Sequence, residues 1–385
     1  MTAIADLPDI RPSLLLDFAN SGRVDPRIQC TRASSATCYG PDGKLRVVPA
    51  NTPRIDYDPE TGKCLGLLVE ESRTNLVYPS VIPSGKGVVF GKVQLNGNTT
   101  AVSGIPSPDG SNNAVSITGA SNSTNSSGMD NLRLLAVIPL ENVGYSVSFY
   151  LKSAVTVTVR EASSGTNVSF APSSKWTRVS AVFTPTSPNQ NIIITSAGGA
   201  EFSLFGLQVE VGSFPTSYIP TEASAVTRAA DFVQMTGANF SSWYRQDEGT
   251  LFADYVLGEK LNNSRAVSLA GTGADRIDIV SGTSAGTGAY GEAVVSGVVQ
   301  AAKPQAITNT PNSRFRLAFA YRKDDCNGAR NGSVSTDVTS AAIPAVSTLT
   351  FGSSQSGSNS LCGHIRRVIF YARRLPNNQL QRLTA

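Results

Sequence analysis

Residues 145–152 read YSVSFYLK. Tyr145, Val147, Phe149 and Leu151 alternate with Ser146, Ser148 and Tyr150, the period-two pattern of a strand with one face in a core. The pattern returns at 114–118 (AVSIT), 155–159 (VTVTV), 177–183 (TRVSAVF), 191–195 (NIIIT) and 202–211 (FSLFGLQVEV). Turn residues separate these runs about every ten residues, the rhythm of an antiparallel β-sandwich. The 34 Gly and 21 Pro fit many short strands and disfavour long helices.

A second set of strands follows. It comprises 249–255 (GTLFADY), 266–270 (AVSLA), 276–280 (RIDIV) and 315–321 (FRLAFAY), and it closes with 361–375 (LCGHIRRVIFYARRL). Between the last two runs, 326–334 (CNGARNGSV) holds two Asn-Gly pairs, each a signal for a tight hairpin turn because both residues accept positive φ. Residues from Pro376 onward predict one or two helical turns. Upstream, residues 54–76 (RIDYDPETGKCLGLLVEESRTNL) join a turn at 58–62, a short buried run at 65–69 and a polar exit at 70–75.

The expected fold class is therefore all-β: two tandem antiparallel β-sandwiches of jelly-roll type, preceded by a small N-terminal anchoring segment. The expected divisions are an anchor or adaptor at 1–80, a first sandwich at 81–221, a linker at 222–232 (EASAVTRAADF) and a second sandwich at 233–385. The first 80 residues carry too many turns for their apolar content to build a rich core, so they are expected to pack on a neighbouring domain or a partner chain.

Three stretches resemble known families. Block 54–76 resembles one found in phage virion proteins of the head-spike, fibre and tail-appendage kind, and 222–232 resembles their inter-domain joint. The order YSVSFYLK, WTRVSAVFT, FSLFGLQVEVG, followed by the tail FPTSYIPT at 214–221, is similar to jelly-roll carbohydrate-binding modules. Gly363, Ile365, Val368, Tyr371, Arg374 and Leu375 match the final strand of laminin-G and concanavalin-like sandwiches. The resemblance implies a structural component of a virus particle that adheres to host-surface glycan or decorates the particle. It implies copies of itself, as a homotrimer, and other capsid or tail proteins as partners. A capsule or lipopolysaccharide depolymerase is the alternative. The expected location is the virion, after synthesis in the host cytoplasm.

Composition excludes several classes. A net charge of +4 with 16% charged residues, scattered along the chain, gives no nucleic-acid footprint. The start MTAIADLPDIRPSLLLDF lacks a signal-peptide core, and no stretch approaches a membrane span. Cys30, Cys38, Cys64, Cys326 and Cys362 have no zinc spacing and read as free thiols, with a Cys326–Cys362 bridge left open.

Chemistry has few footholds. His364, the one histidine, lies within a strand and reads as a hydrogen-bonded structural residue. Glycoside hydrolysis needs two carboxylates flanking one bond. The pairs Asp56/Asp58, Glu70/Glu71, Glu201/Glu210, Asp275/Asp278 and Asp324/Asp325 read as turn formers or as residues that point or lie apart. No catalytic residue, metal ligand or cofactor is therefore assigned. Structural calcium on Asp324 and Asp325, or on Asp275 and Asp278, has only weak support, since no EF-hand-like loop is present. The Gly-rich run at 282–288 lacks the ending of a phosphate loop and reads as a surface loop. Sugar binding uses exposed aromatics, which makes Trp176, Trp243 and Tyr244 the candidate ligand-binding residues, with Tyr150 and Tyr218 behind them. In similar modules the position of Trp176 packs inward.

Overall fold

The computed structural model describes residues 10–125, 128–258, 264–281, 288–303 and 312–385. It is built almost wholly of antiparallel strands, as the alternating pattern predicts. Two compact units divide the chain: Met1–Gly43 with Val48–Glu71 and Ala229–Ala385, and Lys44–Val47 with Ser72–Arg228. The N-terminal start MTAIADLPD and Gly282–Thr287 of the Gly-rich run lie outside the described residues. No described helix is long and apolar enough to cross a membrane.

The Ser72–Arg228 unit is a sandwich of two six-stranded sheets among the described residues. One sheet runs Ser173–Phe183, Tyr145–Ser153, Phe202–Val211, Ala114–Thr118, Thr100–Ile105, Gly85–Lys86. The other runs Asn167–Phe170, Val157–Glu161, Gln190–Ser196, Asn131–Ile138, Val93–Asn96, Val89–Phe90. Val147, Phe149 and Leu151 point between the sheets with Val157, Ile192, Ile194, Leu204 and Val209. Phe149 meets Phe170 edge-on at 6.2 Å. Burying each such side chain contributes about 1.5–3 kcal/mol, and this is the driving force behind the alternation.

Tyr145–Ser153 is buried on its other face as well, because the FPTSYIPT tail lies across it. Ser146 Oγ donates to the Phe214 carbonyl at 3.0 Å. The Glu210 carboxylate accepts from the Thr216 N–H (2.9 Å) and hydroxyl (2.5 Å). Gln208 Oε1 accepts from the Ile219 N–H at 2.6 Å, and Asn75 Nδ2 donates to the Ile219 carbonyl at 2.9 Å. The tail is thus a strap held by side chains from strand Phe202–Val211 and from Asn75. Gly206 makes room for it. It sits at a register shift with φ 68°, and a Cβ there would stand 3.1 Å from the Tyr218 ring.

The Ala229–Ala385 unit is also a sandwich, and it recruits the N-terminal residues. Among the described residues its eight-stranded sheet runs Ser333–Val334, Asp325–Arg330, Arg314–Arg322, Glu248–Val256, Gly363–Tyr371, Cys64–Val69, Arg54–Tyr57, with Leu14–Asp17 paired to Gly363–Tyr371. The facing sheet has seven strands among the described residues, of which Gln29–Thr31 is one edge. Leu14, Leu16, Phe18, Leu67 and Val69 join the same core as Leu251, Val267, Leu269, Phe319 and Phe370. The N-terminal segment therefore does not stand apart as a separate anchor, and the unit boundary falls between Glu71 and Ser72 rather than at 80. Strands Leu14–Asp17 and Cys64–Val69 pair with Gly363–Tyr371, and this pairing sets their apolar residues in the core between the sheets. The expected 222–232 linker holds a strand too: Val226–Arg228 pairs with Arg73–Asn75.

Of the two Asn-Gly pairs, Asn331-Gly332 makes the expected turn, with φ 45° and 81°. Asn327-Gly328 instead lies within strand Asp325–Arg330, where Asn327 is fully buried and donates to Asp337 at 2.6 Å. Burial and a long-range hydrogen bond override the local turn preference. The helix expected after Pro376 spans Asn377–Thr384 and packs Leu380 and Leu383 on the outer face of the eight-stranded sheet.

Candidate functional site

In the Ser72–Arg228 unit three strands that are neighbours in one sheet, Ser173–Phe183, Tyr145–Ser153 and Phe202–Val211, end at the same edge. Their ends frame a cleft of about 540 Å³ lined by Lys152, Ser153, Ala154, Pro172, Ser173, Ser174, Glu201, Phe202 and Ser203. That volume lies within the range of small-ligand sites. Lys152 and Glu201 are exposed, while Phe202 is buried beneath. Ser116 Oγ donates to Glu201 Oε1 at 2.5 Å and fixes that carboxylate. Ser173 Oγ donates to the Lys175 carbonyl at 2.9 Å. The cleft thus offers a cation, a carboxylate and several hydroxyls over a greasy floor.

Trp176 belongs to the same strand as Ser173 and Ser174, roughly 7–10 Å further along. It is half-buried and takes no part in the core between the sheets. Its indole N–H donates to the Pro106 carbonyl at 3.2 Å, which ties it to the 106–113 loop rather than turning it inward. That loop is organised by Asp109, which accepts from the Ser107 and Ser111 hydroxyls and the Ser111 N–H. Burial opposes the Asp109 charge, but these three donors outweigh it and hold the carboxyl below its ordinary 3.8.

A depressed carboxyl pKa stabilises the fold above the unfolded value and loses that contribution as pH falls through the folded value. Acidification below about pH 3.8 is therefore expected to loosen the loop and shift Trp176 fluorescence. The Asp109→Asn variant should lack that step, and an unchanged acid profile in the variant would refute the coupling.

The other aromatic candidates are structural. Trp243 is 5% exposed, stacks between Phe240 (4.9 Å) and Phe370 (5.1 Å), and donates to the Asn239 carbonyl at 2.8 Å. Tyr244 packs on Phe240 at 4.7 Å and Phe370 at 5.4 Å, and burial pushes its hydroxyl up to about 12. Tyr150 lies under the strap, and Tyr218, a strap residue, packs onto it and shares a 2.6 Å hydrogen bond with Ser80. Neither Trp243 nor Tyr244 is brought to the cleft as a stacking platform, because both side chains complete the core of the other unit.

The remaining candidates have structural partners. His364 Nε2 lies 2.8 Å from Asp56 Oδ2, and Asp56 Oδ1 accepts from the Tyr39 N–H at 2.7 Å. Asp58 closes its own turn through the Glu60 and Thr61 amides. Glu70 is buried against Arg54 at 2.8 Å. Asp278 takes Arg265 at 2.5 Å and Arg276 at 3.0 Å, while Asp275 accepts from the Ser296 N–H. Asp325 pairs with Arg322 and Arg374, and Asp324 accepts from the Ala341 N–H.

Among the described residues no group of three His, Cys, Asp or Glu side chains gathers to hold a metal ion. All five cysteines are unbridged, and burial pushes the Cys30 and Cys362 thiols up to about 11. Lys152, Ser174 and Ser203 carry no motif in the sequence. They meet because their strands are neighbours in the sheet, and no local signal announces that.

No family model matches the chain, and no curated protein matches it either. Solved structures similar in part include the CBM40 of the Ruminococcus gnavus IT-sialidase bound to α2,6-sialyllactose. That match has 14% identity and a TM-score of 0.31, over 37% of this chain and 85% of that one. Domain 4 of AbnA, a GH43 extracellular arabinanase from Geobacillus stearothermophilus, in complex with arabinotriose, is similar over 45% of this chain and 82% of its own. Its identity is 12% and its TM-score 0.34. A heptameric SAP-like pentraxin from Limulus polyphemus is similar over 36% of this chain and 70% of its own, at 13% identity and a TM-score of 0.29.

Proposed function

We propose that this chain is a non-enzymatic appendage protein of a bacteriophage particle that adheres to host-surface glycan, with the strand-end cleft of the Ser72–Arg228 unit as its sugar site. The single observation that carries the adhesion reading is the cleft itself: Lys152, Glu201 and the Ser173, Ser174 and Ser203 hydroxyls around an apolar floor. Sugars present hydroxyls on one face and C–H groups on the other, and this lining complements both. The virion assignment and the homotrimer rest on the sequence resemblances of 54–76 and 222–232.

The non-enzymatic reading is supported by charge pairing. Among the described residues that line the cleft Glu201 is the one acidic side chain, whereas glycoside hydrolysis uses two carboxylates across a bond. A glycan array with the whole chain tests the proposal. Capsular or lipopolysaccharide glycans should bind, and Glu201→Ala should weaken binding about tenfold, equivalent to about 1.4 kcal/mol. Trp176→Ala should weaken it less, since its N–H is already engaged. Absence of binding across the array would remove adhesion and leave decoration. Loss of capsule viscosity on incubation with the protein would establish the depolymerase instead. Light scattering that reads a monodisperse monomer would exclude the trimer.

A further inference from the structure

The Ala229–Ala385 unit holds a second concave site of different chemistry. A pocket of about 320 Å³ is lined by Asp17, Ala19, Asn20, Lys63, Asp254, Arg314, Arg366 and Arg367. Its four cations against two carboxylates leave a local net of +2. A β-bulge places the arginines. Asp254 pairs with Arg367 and Tyr255 with Ile365, so Arg366 is the extra residue of strand Gly363–Tyr371. In a regular strand neighbouring side chains point to opposite faces, and the bulge instead turns Arg366 and Arg367 to one side.

The two carboxylates are already committed. Asp17 takes Arg367 at 2.7 Å. Asp254 takes Arg314 through two hydrogen bonds of 2.7 and 2.5 Å. Lys63, at the exposed rim, and Arg366 are the two cations of the pocket outside these pairs. Arg366 Nη1 reaches only the Leu65 carbonyl at 3.4 Å, and its Nε stands 4.0 Å from Asp254 Oδ1. That Nε is buried from solvent and has no hydrogen-bond partner among the described residues. Burial, and then the neighbouring Arg314 cation, lower the Arg366 pKa. A three-quarters-buried guanidinium beside another cation, with its nearest carboxylate oxygen 4.0 Å away and already taken by Arg314, is stabilised by a further anion.

We propose that this pocket binds one anionic oxygen group, a carboxylate or sulfate, carried by an acidic polysaccharide. The chemistry is that of a guanidinium donor: Arg366 presents N–H groups to the oxygens of one anion, while Arg314, whose Nε and Nη2 are held by Asp254, and exposed Lys63 add positive charge around it. The pocket has room for a single acidic sugar unit. The anion preference stands on the pocket alone. The polysaccharide source rests on the adhesion reading above, although the two sites lie in different units and share no residue.

Isothermal titration of the whole chain with sodium glucuronate, sodium sulfate and neutral glucose tests this. Glucuronate is expected to saturate the site, glucose should not compete, and rising NaCl should weaken binding, since the contact is ionic. Arg366→Gln should cut affinity at least about tenfold. Lys63→Gln, at an exposed position that leaves the fold untouched, should cut it about twofold to threefold. Glu201→Gln should leave glucuronate binding unchanged, which separates this site from the strand-end cleft. The proposal is overturned if neither anion binds the natural chain, or if Arg366→Gln and Lys63→Gln both bind like it. Sulfate binding without glucuronate binding would overturn a carboxylate-bearing sugar as the ligand. Glucuronate binding together with a blank glycan array would sink the cleft reading and uphold the pocket.

Discussion

Asp231→Ala is expected to cost about 3–5 kcal/mol, enough to take most of the stability of a domain of ordinary margin. Asp231 is 2% exposed and lies between two fully buried arginines. Its Oδ1 takes Arg32 Nη1 at 2.7 Å, and its Oδ2 pairs with Arg54 and accepts from the Glu70 N–H at 3.0 Å. Burial alone would disfavour the Arg54 cation, but Asp231 and Glu70 outweigh it and raise its pKa. Arg32 and Arg54 also donate to the carbonyls of Ser34, Thr52, Pro49 and Thr37.

The cluster therefore ties the 32–54 region and the strand Cys64–Val69 to the entry of strand Phe232–Thr236. Removing the one carboxylate shared by both arginines leaves two buried cations with a single counter-charge, the expensive case for a buried pair. Urea denaturation followed by circular dichroism gives the check. A midpoint within error of the natural chain would show that the cluster adds nothing to stability.

Glu210→Ala is expected to cost about 3 kcal/mol and to free the strap. Glu210 is fully buried and accepts from the Thr216 N–H, the Thr216 hydroxyl and Gln208 Nε2 at 2.8 Å. Hydrogen bonds to a charged acceptor are worth about 1.5–3 kcal/mol each, and their orphaned donors add a desolvation cost. The strap also covers Tyr150 and Phe205, so its release exposes aromatic surface. Limited proteolysis should cut near 214–221 in the variant and spare the natural chain, and the urea midpoint should fall with it. Glu210→Gln keeps one acceptor oxygen and should lose less. Equal resistance to protease in the alanine variant would show that Glu210 does not hold the strap.

Much of the fold was legible because strand formation leaves a local trace. The alternation at 145–152 and 202–211 placed Val147, Phe149, Leu204 and Val209 between two sheets, where they lie. The closing run at 363–371 and the helix after Pro376 were equally readable. The site was less so. Trp176 was among the named aromatics, but Trp243 and Tyr244 were not separable from it. An aromatic side chain reads the same whether Phe240 and Phe370 cover it or solvent does. Asn327-Gly328 misled for the same reason, since its turn preference is local and its burial is not.

The sequence by itself determined the strand content, the turn at Asn331-Gly332 and the apolar faces, because each depends on residues within a few positions of one another. Tertiary structure alone decided that Leu14 pairs with Phe370 and that Asp231 serves Arg32 and Arg54. It also decided that the FPTSYIPT tail is a strap and that Arg366 stands in a cationic pocket with no partner for its Nε among the described residues. Such pairings join residues that are distant along the chain, and loop-closure entropy grows only slowly with the separation it spans. Partners are therefore selected by which faces remain to be buried once the sheets have formed, and no local pattern records that choice.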